Sequence, residues 1–130
     1  MTNRLKIFNL DEANALLPEV ESLLTVFEAK QEAFRRLHDE LFFAELVDDV
    51  SPPEERLQEL EEVLMALEEE MDKIRNLGCL LRHSERGRVD FLAQKGQERI
   101  YYCWQRGEKQ IQFYHSLRGG FFERWPLVSS

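Results

Sequence analysis

Apolar side chains recur along the first third of this chain in steps of four and three, at Leu16, Val20, Leu23, Phe27, Phe34, Leu37 and Leu41, with Lys30 in the one missing slot. That spacing is a heptad seam over about four repeats, narrower than the stripe of an ordinary surface helix. Asn9 stands where an N-cap belongs, Glu12 three residues on completes a capping box, and Phe8 holds the staple position before them. Pro18 falls inside the helix near its start, where it should bend the helix or loosen its first turns. A second seam runs through Leu57, Leu60, Leu64, Leu67, Met71 and Ile74. Ser51 is its expected cap, Pro52 suits the first helical position, Glu54 closes another capping box, and Gly78 stops the helix. Two seams joined by a short connector predict an antiparallel coiled-coil hairpin over residues 9–77, an arm on the order of 45 Å long. Leu17, Leu24, Leu46, Val63 and Leu77 lie beside the seams and widen the apolar stripe. A second copy is therefore expected to cover it, giving a homodimer with a four-helix core.

From Cys79 onward the period falls to two. Cys79–Arg82, Val89–Ala93, Arg99–Trp104 and Ile111–His115 read as short strands, broken at Ser84–Gly87, Lys95-Gly96 and Arg106-Gly107. Short connectors favour antiparallel pairing. Simple alternation sets Ile100, Tyr102 and Trp104 opposite Tyr101 and Cys103, and groups Ile111, Phe113 and His115 on one face. Gly119-Gly120 interrupts the pattern, and Phe121 to Val128 reads as an irregular tail. The expected fold is α+β in a single domain, residues 1–130: a helical hairpin arm (9–77), then a small antiparallel sheet of three to four strands with a C-terminal tail (78–130).

Charge sharpens this division. Residues 1–76 carry a formal balance of −12 and residues 77–130 one of +4, and the latter hold nine of the fourteen aromatic side chains. The overall −8 argues against general nucleic-acid binding, which needs a cationic face. The opening residues Met1 to Lys6 contain no apolar run, and no stretch is long enough to span a bilayer. Two cysteines without C-x-x-C spacing suit reduced thiols in a cytoplasm better than a disulfide framework.

The chemistry concentrates in the sheet. Asp90, Cys103, Trp104, Glu108, His115 and Arg124 are the candidate binding residues, and Asp90, Glu108 and His115, with or without Cys103, carry the ligand types for a divalent transition metal. Taken singly each has an ordinary reading: an outward carboxylate, a core thiol, a core indole, a turn acid, a satisfied histidine. A Cys103–His115 thiolate pair is disfavoured, because alternation puts the two on opposite faces. Glu59–Glu62 and Glu68–Glu70 read as a solvated helix face. The chain has no P-loop, dinucleotide fingerprint or serine elbow.

Five elements resemble the bacterial domain-of-unknown-function family 2203. They are Phe8-Asn9-Leu10-Asp11-Glu12-Ala13-Asn14-Ala15-Leu16-Leu17-Pro18, then Gly87-Arg88-Val89-Asp90-Phe91, then Cys103-Trp104 with Gly107-Glu108, then Tyr114-His115, and Gly120-Phe121-Phe122-Glu123-Arg124-Trp125-Pro126. The chain departs from that pattern at Arg88, which replaces an apolar residue, and at Gln105-Arg106, which replace Arg-Leu. Phe122 and Glu123 stand for small residues, and Arg118 stands where the family has an acid that could serve a cation near His115. The resemblance implies fold boundaries and a site location, and no reaction. The residues favour a cytoplasmic binding or interaction module, a homodimer or one with a protein partner. The alternative is a small enzyme or ligand sensor with a polar, metal-capable pocket of Asp90, Glu108, His115 and Arg124.

Overall fold

Asn9 caps the first helix as expected. Its side chain accepts from the Glu12 amide at 2.7 Å, and the Glu12 carboxylate accepts from the Asn9 amide at 3.0 Å. The computed structural model describes residues 6–127. From this cap α1 runs unbroken over Leu10–Asp48, straight through Pro18, and ends where Asp49 turns left-handed at φ 52°. The α2 helix spans Glu54–Asn76 and packs back along α1. Its start differs from expectation: Pro53 occupies the cap position, no side chain caps the helix, and the Ser51–Glu54 box does not form. Two successive prolines leave Ser51 too far upstream to reach the first turn.

Five strands follow: β1 (Leu80–His83), β2 (Arg88–Lys95), β3 (Glu98–Gln105), β4 (Phe113–Ser116) and β5 (Trp125–Pro126), with a 3-10 turn at Phe121–Glu123. They form one antiparallel meander in chain order. The architecture is α+β, with one strand more than the three to four expected. The extra strand comes from the segment expected to be irregular, where Trp125 pairs with Tyr114 and Pro126 with Phe113. Val128 at the end of that tail, and Met1 to Leu5 at the start, lie outside the described residues.

The first half of α1 lies against one face of the sheet. Ala13, Leu17, Val20 and Leu24 form a single cluster with Ile74, Cys79, Val89, Phe91, Trp104 and Ile111. Leu17 and Leu24, expected beside the seam, are therefore central, because α1 must serve the sheet as well as α2. Phe8 meets Phe91 edge-on at 5.2 Å, so the staple residue anchors the chain entry to the sheet. Gly78 sits at φ +96°, and a Cβ there would stand 2.9 Å from Lys6 Cβ. Only glycine both turns the chain and lets the entry strand pass.

The second seam is shifted in phase. Leu60, Val63, Leu67, Glu70 and Ile74 of α2, and Leu77 at its C-cap, turn inward, while Leu57, Leu64 and Met65 face outward. Glu70 is buried, so the acid run containing it is not wholly a solvated face. Its carboxylate meets Lys30 at 2.8 Å and Lys73 at 2.9 Å. Lys30 fills the missing slot of the first seam because its partner fills a slot of the second. Those hydrogen bonds, Lys30 first and then Lys73, hold the Glu70 carboxyl below its ordinary value despite its burial.

Candidate functional site

The sheet face away from α1 carries the chemistry. Paired residues in antiparallel strands point to the same side, so the register of β2, β3 and β4 groups its side chains. Asp90 lies opposite Cys103, Cys103 opposite Phe113, and Tyr101 opposite His115. Asp90, Cys103 and His115 are all buried, and a ligand atom of each lies within 4.8 Å of the others. This corrects the expectation that Cys103 and His115 occupy opposite faces. The strand β4 begins only at Phe113; Ile111 precedes it and turns into the helix-side core, its amide donating to Asn14 Oδ1 at 2.8 Å. Alternation counted from Ile111 therefore fails before it reaches His115.

Hydrogen bonds fix this group closely. Asp90 Oδ2 lies 2.9 Å from His115 Nε2 and accepts from Arg82 Nε, also at 2.9 Å. A bulge between Leu81 and His83 accompanies the turn of Arg82 toward Asp90. His115 Nδ1 lies 2.7 Å from the Ser116 carbonyl oxygen, which can only accept, so Nδ1 carries a proton and donates. The ring of Tyr101 sits beside His115 at 5.5 Å, and Arg82 stands over that same Tyr101 at 5.0 Å.

The chain then folds back over this face. Gly119-Gly120 leads into the Phe121–Glu123 turn, and Phe121 lies between two guanidinium groups, Arg88 at 3.7 Å and Arg124 at 3.9 Å. Between this turn and the sheet lies a cavity of about 420 Å³, with Asp90, Cys103 and His115 at its floor and Arg82, Arg88 and Phe122 among its walls. Its opening thus has cationic and aromatic walls around a mixed polar floor.

Neither thiol is a ready nucleophile. Burial first, and then the nearby Asp90 charge, push the Cys103 thiol up to about 12. Burial does the same to Cys79, also to about 12, in the core where its Sγ donates to the Ile74 carbonyl. Both cysteines are unpaired.

The remaining candidates are placed elsewhere. Glu108 accepts from Arg124 at 2.9 Å and from the Gln105 amide at 2.8 Å, which braces the turn after β3 to the C-terminal segment. It is not part of the Asp90 group, and Cys103 stands there instead. Trp104 is fully buried on the helix side, its indole donating to the Glu108 carbonyl at 2.8 Å. Arg124 acts as a pin for Phe121 as well as the partner of Glu108. Arg82 and Phe121 line the cavity without having been among the candidate residues. For Arg82 the signal would have been a cation at the end of a strand leading into a four-residue turn; for Phe121 nothing local marks a lid.

A family model described as an uncharacterized conserved protein (DUF2203) matches residues 6–127, nearly the whole chain. No curated protein matches the chain, and no solved structure does.

Proposed function

The chain belongs to the DUF2203 family of uncharacterized conserved proteins, and from its site we propose that it is a binding protein for a small oxyanion-bearing molecule, a phosphate or carboxylate compound, held in the cavity over the outer sheet face. The observation that carries this is the floor: a buried histidine and aspartate in direct contact, with Arg82 on the same carboxylate oxygen, beneath an open cavity. Burying such a group is costly, and a purely structural brace has no need of a cavity above it. Arg88 donates through Nε to Gln105 at 2.8 Å, and among the described residues its terminal nitrogens have no hydrogen-bond partner, which suits them to a ligand. Phe121 and Phe122 supply the apolar wall that small-molecule sites require. The excess positive charge of residues 77–130 supports an anion in particular.

The test is a thermal-shift titration of the purified chain with inorganic phosphate and small dicarboxylates. Protection that grows with concentration and is lost in Arg88→Gln supports the reading. Equal shifts in parent and variant contradict it.

A second reading concerns assembly. Phe42, Phe43, Leu46, Val47 and Val50 are exposed near the hairpin tip, and Leu57, Leu64 and Met65 along α2. These exposed apolar side chains on both helices favour pairing of two arms into a homodimer over solvent exposure. Two buried, unpaired cysteines support a reducing compartment such as the cytoplasm.

A further inference from the structure

We infer that the cavity floor is a zinc site in which Asp90, Cys103 and His115 supply three ligands and the fourth position opens to the cavity. The inference deepens the pocket reading and rests on it only in taking the cavity to be a ligand site.

Three adjacent strands present the three groups at neighbouring register positions, so the backbone fixes their mutual placement. Their ligand atoms already lie within 4.8 Å of one another. Zinc bonds of about 2.0–2.3 Å set tetrahedral ligand atoms roughly 3.3–3.8 Å apart, so side-chain shifts of about an ångström complete the set. His115 is held as a metal-binding imidazole is held: Nδ1 donates to a backbone carbonyl, which turns Nε2 toward Asp90. Nε2 and Asp90 Oδ2 stand 2.9 Å apart, so a proton or a metal ion shared between them holds the pair together. Arg82 and His115 both meet Asp90 at Oδ2, and the Cys103 thiol lies beside the same carboxylate.

The donor set selects the metal. One sulfur, one imidazole nitrogen and one carboxylate suit zinc, whereas calcium and magnesium take oxygen alone. Three protein ligands with one open position is the arrangement of zinc sites that hold a further molecule. Binding exchanges the Cys103 thiol proton for the ion and releases that proton to solvent. Arg82 opposes a cation here, but its side chain is half exposed and can turn toward an anion in the cavity. The anion and the ion would then occupy one site together.

The experiment uses the untagged full chain, stripped with a chelator, with zinc or cobalt as the only probe. One zinc per chain should be retained after buffer exchange. Cobalt should give a thiolate charge-transfer band that is lost in Cys103→Ser and kept in Cys79→Ser. Zinc affinity should fall by roughly tenfold or more in Cys103→Ser and in Asp90→Asn. No retained zinc, or equal binding by parent and Cys103→Ser, overturns the inference. Phosphate is absent throughout, so this failure leaves anion binding standing. Retained zinc without phosphate protection would sink the anion reading alone.

Discussion

Lys30 and Glu70 meet at 2.8 Å inside the helical hairpin, each at a position where its helix turns inward. Neither seam carries an apolar residue at this level, and the ion pair fixes the register of the two helices in the way a buried polar residue does in coiled coils. Glu70→Gln should destabilise the chain by about 1–3 kcal/mol in denaturant melts, because two lysines lose their charged acceptor. Lys30→Leu with Glu70→Leu should at least restore the parent stability. A neutral Glu70→Gln would contradict the pairing.

The same carboxylate sets a pH dependence. Its folded value lies below its ordinary 4.5. Its contribution is therefore fully present above that ordinary value and is lost as pH falls through the lower folded value. The stability difference between parent and Glu70→Gln, followed by urea melts, should shrink in that acid window and stay flat from there to neutrality.

The phase of α2 can be tested by truncation. Ile74→Ala and Leu67→Ala should cost about 2–5 kcal/mol, since they remove packed side chains. Leu57→Ala and Leu64→Ala, on outward positions, should cost well under half as much. Equal losses for both pairs would restore the seam expected from spacing alone.

The arm's exposed apolar residues predict self-association. Sedimentation at micromolar concentration should report a dimer, and Phe43→Glu with Leu46→Glu should return it to a monomer without loss of helix signal. A monomeric parent chain would remove the assembly reading.

Glu108 and Arg124 should behave as one unit. Each single change to Ala should cost about 1–3 kcal/mol, and the double change should cost much less than the sum. The link from the β3 turn through Arg124 to Phe121 predicts that Arg124→Ala also weakens phosphate protection. Additive losses would deny the coupling.

Much of this molecule was legible from its residues. The Asn9–Glu12 cap, the hairpin and the turns at Gly87, Gly96 and Gly107 all follow from local rules, and all are present. The phase of α2 was not, because Leu57, Leu64 and Met71 match a seam as well as Val63, Glu70 and Leu77 do once an acid is allowed inside. Only the position of Lys30 across the hairpin distinguishes the two. The site was half legible: Asp90, Cys103 and His115 all stood out, but alternation set Cys103 and His115 on opposite faces, and only the start of β4 at Phe113 puts them on one. Arg82 and Phe121 reach the cavity through a bulge and a chain reversal, both tertiary events without a local pattern.

Asp90, Cys103 and His115 form a binding floor rather than a brace if the chain holds a bound species there. Native mass spectrometry of the untagged chain, purified without chelator and compared with Asp90→Asn, decides between the two. The parent should exceed its chain mass by a bound species, and Asp90→Asn, still folded by its melting curve, should return to the bare mass. A parent at bare chain mass that also takes up neither zinc nor phosphate on addition would contradict it.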